Sequence, residues 1–198
     1  MISVNTILFF LLTLLLMAFF AGIEMAFYSA NRLSLEIRKK QGGATMNILS
    51  RFIESPARFL GSTLIGFNLF LVFFSLQISN VMSPVWDYIG LHLTYVRLVA
   101  EITLATFVVL VLVEFIPRAF FRANSHTLLV RFTYVSDFFY QMFAPIASGL
   151  IDMSEWLLKY VFNIRLDKNK EPINRSDLKN LFQPREDEER QERNTQLL

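Results

Sequence analysis

Three apolar runs, each long enough to cross a lipid bilayer, constrain this chain more than any other feature of its sequence. They cover about residues 6–30, 57–81 and 96–117. A transmembrane helix needs ~20 predominantly apolar residues to cross ~30 Å of hydrocarbon, whereas a barrel strand needs only about half as many. Because lipid offers no partners to backbone N–H and C=O groups, runs of this length cross as helices. The sequence therefore predicts an all-α integral membrane protein with three transmembrane helices.

Composition agrees with this class and argues against others. Of the 198 residues, 54% are hydrophobic and 21 are phenylalanine, which is far from an average soluble domain. The chain has no cysteine, so it can form neither a disulfide framework nor a thiolate metal site. The net charge is only +2, from which we predict no nucleic-acid partner. No Ser/His or metal-ligand pattern of an enzyme is visible, and we expect neither catalysis nor a small organic substrate.

The basic residues predict how the chain crosses the membrane. Most of them lie beside the connection between the first and second runs or after the third run. In chain order they are Arg32, Arg38, Lys39, Lys40, Arg51 and Arg58, then Arg97 alone in the second connection, then Arg118, Arg122 and Arg131. Loops rich in lysine and arginine stay on the cytoplasmic side. We therefore expect the N-terminus outside and the C-terminus in the cytoplasm, in the inner (plasma) membrane of the cell.

The segments outside the runs are expected at the membrane surface or in water. Residues 31–43 mix apolar and basic side chains before two glycines, which predicts a short interfacial helix. Residues 83–88, Ser-Pro-Val-Trp-Asp-Tyr, are expected to form a loop. Residues 128–162 predict two amphipathic helices at the cytoplasmic face, hinged near Ala144-Pro145, with a fourth span as the alternative. From residue 167 onward the charged sequence predicts a solvated tail.

A carboxylate and a proline lie together at the end of the third run, in Val113-Glu114-Phe115-Ile116-Pro117-Arg118. Pro117 has no N–H, and its ring pushes away the carbonyl of Val113, four residues earlier. Glu114 is costly at this depth and should face the bundle interior, where it and the freed carbonyl could supply half the oxygen shell of a hard cation. Alternatively, Glu114 only pairs with Arg118 at the membrane edge. The hexapeptide alone leaves both interpretations open.

Two further polar residues lie inside the runs at a compatible depth. Counting 1.5 Å per residue from flanking basic residues places Glu24 roughly 12 Å, Asn68 roughly 15 Å and Glu114 roughly 6 to 12 Å above the expected cytoplasmic boundary. A glycine or proline lies two or three residues from each, which is expected to make the helices flexible there. Two carboxylates, one amide and free carbonyls suit Mg²⁺ or Na⁺, whereas zinc or copper would need imidazole or thiolate nearby.

Each of these residues also has a purely structural interpretation. Asn68 alone would more often hydrogen-bond between helices. Glu24 alone could be a protonated carboxyl bonded to a neighbouring helix. Glu101 lies close to the expected outer interface and is interpreted as interfacial. Only the convergence of Glu24, Asn68 and Glu114 favours a site.

Three short motifs in register resemble the signatures of the CorC/CNNM transmembrane domain, a family of Mg²⁺/Co²⁺-transport and hemolysin-related membrane proteins. Residues 19–26, FFAGIEMA, resemble its first-helix motif FFSGSETA. Residues 64–69, LIGFNL, resemble its second-helix LIGNNL, and residues 114–118, EFIPR, resemble its third-helix GEIIPK. The order and spacing also agree, so the resemblance covers about residues 5–165.

The resemblance implies a homodimer with three spans per protomer, a cytoplasm-facing cavity and a belt of juxtamembrane helices. It implies Mg²⁺ transport, as export coupled to Na⁺ entry by alternating access, with Co²⁺ resistance as a linked phenotype. Carried over by position, Glu24, Asn68 and Glu114 would line the cation site, together with backbone near Gly22 and Val113.

The chain also departs from the family motifs. Ala21 and Ile23 stand where serines are common, Phe67 replaces the first asparagine of the pair, and Val113 replaces glycine. The lost oxygens motivate an alternative hypothesis, a non-transporting membrane scaffold of the same fold that recruits partners through its belt and tail.

The resemblance also sets an expected domain organisation. We expect a transmembrane domain over residues 1–165 and a charged cytoplasmic tail over residues 166–198, without the paired CBS regulatory module that usually follows in the family. Whether the sequence is truncated before such a module or belongs to a member lacking it stays open.

Overall fold

The structure, a computed structural model, describes residues 4–31, 35, 43–90 and 93–161. Its elements are α1 (Val4–Ser29), α2 (Ala44–Glu54), α3 (Pro56–Ile89), α4 (Thr94–Val108), a π-helical segment (Val109–Phe115), α5 (Ile116–Ala123), α6 (Ser125–Arg131) and α7 (Thr133–Tyr160). No strand occurs in these ranges. The chain divides into two compact units, Met1–Met153 and Ser154–Leu198, and the helical bundle described below belongs to the first.

Three helical stretches are long and apolar enough to cross a membrane, as predicted. They are α1, α3, and the continuous stretch Thr94–Ala123 formed by α4, the π segment and α5, which we call the third span. No other helix in the described ranges meets these criteria, so the fourth span considered for residues 128–162 has no support there. The chain is an all-α integral membrane protein with three transmembrane helices.

The loop predicted at residues 83–88 is wrong, because α3 continues through it to Ile89. Pro84 lies inside the helix and removes only one N–H, while the side chain of Trp86 is buried and holds the last turns in place. The helix ends instead at Gly90, which has a φ of 71° and donates its N–H to the carbonyl of Trp86. Glycine adopts this left-handed conformation without the steric penalty of a Cβ.

The hinge predicted at Ala144-Pro145 is also wrong. Helix α7 runs without interruption through Pro145, and the break lies earlier, at Phe132, between α6 and α7. Phe143 and Ala147, on either side of the proline, are both buried, so packing supports a continuous helix here despite the missing hydrogen bond. Two helices, α6 and α7, are therefore present as predicted, but the boundary between them lies at Phe132.

Two predictions fall largely or wholly outside the described residues. The interfacial helix expected at residues 31–43 is described only at residues 31, 35 and 43. The charged tail and its boundary at residue 165 lie wholly outside the described ranges, and both stay predictions.

Two glycines allow α1 to approach its neighbours closely. A Cβ on Gly66 of α3 would stand 2.4 Å from the ring of Phe20 in α1. A Cβ on Gly22 of α1 would stand 2.5 Å from the ring of Phe121 in α5. Real Cβ atoms do not make such contacts, so the ring of a neighbouring helix fills the space of each absent side chain. The role of these glycines here is close packing, where the sequence suggested flexibility.

Helix α7 is held against α2 by both charge and aromatic contact. The guanidinium of Arg51 donates to the carboxylate of Asp137, which also accepts from the amide of Gln141 at 2.8 Å. The rings of Phe52 and Tyr140 meet edge to face with centroids 5.3 Å apart. An exposed ion pair contributes ~0–1 kcal/mol, whereas an aromatic pair adds ~0.5–1.5 kcal/mol to its buried area. The rings therefore contribute more than the ion pair.

We predict that Gly66→Ala destabilises the bundle by about 1–3 kcal/mol, because the new methyl must push the ring of Phe20 out of a packed core. The measurement is the thermal unfolding midpoint of the protein purified in detergent. Gly149→Ala is the matched control, since a Cβ at this position in α7 meets nothing within 4 Å. It should be neutral or stabilising by up to about 1 kcal/mol. Equal midpoints for the two variants would contradict the packing role of Gly66.

Candidate functional site

The backbone of the third span departs from α-helical geometry where its carboxylate lies. From Val109 to Phe115 the span is π-helical, and the N–H of Ile116 donates to the carbonyl of Val111, five residues back. Pro117 follows and has no N–H to give to the preceding turn. Such π segments are rare and often occur at functional sites. The predicted irregular backbone around Glu114 is thus present, as a π-helical segment.

Glu114 lies in this segment with its carboxylate 3.3 Å from the guanidinium of Arg118. Both side chains are partly exposed, at 35% for Glu114 and 43% for Arg118. Pairing with Arg118 was the alternative to a cation site, and the pair does form in this structure. Because the pair is partly exposed, it holds Glu114 only weakly, and an incoming cation can compete for the carboxylate.

Glu24 of α1 is brought to the same place. Its half-buried side chain interacts electrostatically with both the guanidinium of Arg118 and the carboxylate of Glu114. Helix α1 packs against both the π segment and α5, which explains the approach. The structure therefore brings two of the three predicted polar residues within electrostatic reach of Arg118, and Glu114 is the one that forms an ion pair with it.

The two predicted backbone positions flank this group. Gly22 is covered by the ring of Phe121, and Val113 is 1% exposed in a core cluster with Met17 and Phe74. The side chain of Val113 and the absence of one at Gly22 both serve the packing of the helices. Any contribution of these residues to a cation shell would therefore come from backbone carbonyls.

Asn68 does not join the two carboxylates within this chain. Its side chain is exposed, and its amide donates to the carbonyl of Leu64 in the same helix at 2.8 Å. Gly66, two residues earlier, faces α1, and two residues turn an α-helix by about 200°. The predicted meeting of the three residues required that their faces agree, and the face of Asn68 does not agree with those of the carboxylates within this chain. The depth of Asn68 and its role as a ligand stay predictions.

Two cavities meet at Glu114. One, of about 560 Å³, lies between α3 and the third span and also has Ser75, Ser79, Glu101 and Thr106 in its wall. The other, of about 300 Å³, lies against α5 and has Arg118 and Arg122 in its wall. Glu114 lines both cavities, so one carboxylate is accessible from either of them.

Glu101, which the sequence predicts to be interfacial, lines the larger cavity, and its depth in the membrane stays a prediction. Its side chain is only 13% exposed and accepts hydrogen bonds from Arg97 at 3.2 Å and Ser79 at 3.5 Å. The spacing of Arg97 and Glu101, four residues apart on a helix, is a signal in the sequence for the first contact. No comparable signal identifies Ser79, which comes from another helix.

The available donors match hard cations better than soft ones. In the described ranges no group of three or more His, Cys, Asp or Glu side chains is placed to hold a metal ion. The predicted site would instead combine two carboxylates with backbone carbonyls near Gly22 and Val113, all oxygen donors. A cation bound there would keep several of its waters, as Mg²⁺ usually does in proteins.

Fold and site together define a polytopic α-helical membrane protein with an ionisable site inside its spans. The family model described as "CNNM: Cyclin M transmembrane N-terminal domain" matches residues 7–194, and the chain belongs to this family. The resemblance drawn from the three motifs is thereby confirmed. This is a family of membrane metal-ion transporters, which are not typically enzymes. A comparison with curated proteins gives no match to the chain.

We predict that Arg118→Gln makes the stability of the bundle depend on divalent cations. Without the guanidinium, Glu24 and Glu114 face each other without a countercharge, which should lower stability by up to about 1 kcal/mol. Added MgCl₂ should then raise the thermal midpoint more than it does in the unmodified protein. The control is Arg122→Gln, which changes a basic residue in the wall of the same cavity. An equal response of both variants to MgCl₂ would contradict this arrangement.

Proposed function

We propose that the protein transports Mg²⁺ across the membrane, as export coupled to Na⁺ entry by alternating access. The observation that carries this proposal is that Glu114 lines two separate cavities. A transported ion must be reachable from each side of the membrane in turn, and in this proposal the two cavities that share Glu114 serve as the two routes. Membership of the CNNM family supports metal-ion transport in general.

Glu24 and Glu114 supply the charge in this mechanism. An arriving Mg²⁺ displaces the guanidinium of Arg118 from the carboxylate of Glu114. Backbone carbonyls near Gly22 and Val113 complete part of the shell, and retained waters complete the rest. Co²⁺ accepts the same octahedral oxygen coordination, so it is a second candidate cargo. Na⁺ uses the same class of donors as the coupling ion.

The transporter is proposed to act as a homodimer. Only 6% of the most apolar window of the third span is buried within the chain, against 33% for α1. Asn68 is likewise exposed on α3. A second copy packed on this face would cover part of the third span and could bring an amide oxygen toward the site. Arg118 and Arg122, at the end of the third span, favour an inner position for that end, with the N-terminus outside.

A non-transporting scaffold is the second candidate function. Ala21 and Ile23, at positions where family members often have serine, are 1% and 0% exposed and pack in the apolar core. They therefore supply no side-chain oxygen, and Asn68 supplies none within the chain. A folded dimer that binds no Mg²⁺ would favour this candidate.

The test is Mg²⁺ binding by calorimetry in detergent, followed by Mg²⁺ flux from proteoliposomes under a Na⁺ gradient. We expect saturable binding in the unmodified protein and a loss of about tenfold or more, or ~1.4 kcal/mol, in Glu114→Gln and in Asn68→Ala. Asp152→Asn removes an exposed carboxylate on α7 and is the control. Unchanged binding and flux in both site variants would refute the proposed site. No binding by a folded, unmodified dimer would refute Mg²⁺ transport.

A further inference from the structure

The larger cavity has a carboxylate at each end. Glu114 lies at one end and Glu101 at the other, 13 residues apart in the sequence, or about 20 Å at 1.5 Å per residue. Glu101 is on the side of the cavity toward Gly90, and we call this the Gly90 end. The proposed transport mechanism uses Glu114 but gives no role to Glu101.

The wall between the two carboxylates offers oxygen lone pairs to the cavity. The hydroxyl of Ser75 donates to the carbonyl of Leu71 at 2.9 Å, and that of Thr106 donates to the carbonyl of Ile102 at 2.8 Å. A hydroxyl has one proton to donate and two lone pairs to offer. Since both protons are used within the helices, these hydroxyls can present only acceptors. Most of the remaining wall is apolar, with Phe74, Ile78, Ile102 and Val109 among its residues, so these two hydroxyls are the polar groups between the carboxylates and they favour a cation over an anion.

Arg97 stands between two carboxylates at the Gly90 end. Its Nε lies 3.2 Å from the carboxylate of Glu101, and its Nη1 lies 3.9 Å from that of Asp87. The two acids differ in exposure, at 13% for Glu101 and 74% for Asp87. The guanidinium can therefore release Glu101 and remain paired with Asp87, whose exposed position makes that pair tolerant of rearrangement.

We propose that Glu101 and Ser79 form a second binding site for a small hard cation at the Gly90 end of this cavity, occupied by the guanidinium of Arg97 when no cation is bound. An arriving Mg²⁺ or Na⁺ binds the carboxylate and the hydroxyl oxygen, and Arg97 moves toward Asp87. The cation site and its exchange with Arg97 stand independently of transport. The use of this site as the entry or exit station for ions bound at Glu114 rests on the proposed function.

The chain lends itself to a direct test because it contains no cysteine. Ser75→Cys places a single thiol in the cavity wall, one helical turn from Ser79. Leu76→Cys is the matched control, since Leu76 is the next residue and its side chain is 68% exposed outside that wall. In proteoliposomes, a water-soluble cationic thiosulfonate should label Ser75→Cys faster than Leu76→Cys. Equal rates would show that the cavity is not a water-filled path and would overturn the proposal.

Cation binding is then read from the labelling rate of Ser75→Cys. Mg²⁺ or Na⁺ at ten times its dissociation constant should slow labelling about tenfold by occupancy alone, and choline should not. Titrating the two metal ions separately identifies which one binds more tightly. Slowing by neither metal ion would overturn the proposal.

Two background substitutions separate this site from the one at Glu114. Protection should persist in Ser75→Cys with Glu114→Gln and disappear with Glu101→Gln. The reverse pattern would place the protecting ion at Glu114, which overturns the second site while leaving the proposed function intact. Conversely, persistent protection in a protein without Mg²⁺ flux would support the second site and count against the proposed function.

Asp87→Asn tests the exchange of Arg97 between Glu101 and Asp87. It leaves Glu101 unchanged, so it also tests the proposal if Glu101→Gln does not fold. With its exposed partner gone, Arg97 should stay on Glu101, so protection should require a higher cation concentration. An unchanged concentration dependence would overturn the exchange. Disulfide cross-linking of Ser75→Cys between two chains would show that a second copy fills the cavity, and this result too would overturn the proposal.

Discussion

The site depends on how closely α1 can approach the end of the third span. Gly22 allows this approach, because the ring of Phe121 occupies the space that a side chain would need. Arg118 lies three residues before Phe121, and Glu24 lies two residues after Gly22. The packing of Phe121 on Gly22 therefore also brings the guanidinium of Arg118 near the carboxylate of Glu24. A bulkier residue at position 22 would separate the carboxylate of α1 from its guanidinium partner. Helix packing and the electrostatic interaction at this point therefore both depend on the small size of Gly22.

The second constraint is the hydrogen-bond requirement of a backbone in lipid. A proline in a membrane span leaves a carbonyl without its usual donor, and a membrane offers no water to replace that donor. Here the span becomes π-helical just before Pro117, which widens the turn around Glu114. The irregular turn also lies beside both cavities, where displaced carbonyls can meet water or an ion. A helical defect and a partly exposed carboxylate thus occur together for a physical reason.

The three spans could be predicted from the sequence, because the lengths of the apolar runs decide them. For Glu24 and Glu114, distance from the basic residues predicted only similar depths, and not that their faces agree. The face of Asn68 could not be predicted, since depth says nothing about rotation around a helix axis. Two errors share one cause. Pro84 and Pro145 were treated as ends of helices, but buried neighbours such as Trp86 and Phe143 hold the helix through each proline. The hydrogen bond between Ser79 of α3 and Glu101 could not be predicted either, because it depends on how two helices pack against each other.

The aromatic contacts of Phe20 have a mechanical consequence. Its ring meets those of Phe70, Phe139 and Phe143 from two other helices and also covers Gly66, so contacts from two helices hold α1 at this level. A helix that is held at one level can tilt about that level. Glu24 is only about 6 Å from Phe20 along the axis, whereas Val4 is about 24 Å away. A tilt of α1 by about 10° would move Glu24 by ~1 Å and Val4 by ~4 Å. The N-terminal end of α1 can therefore move away from the bundle while Glu24 stays nearly in place.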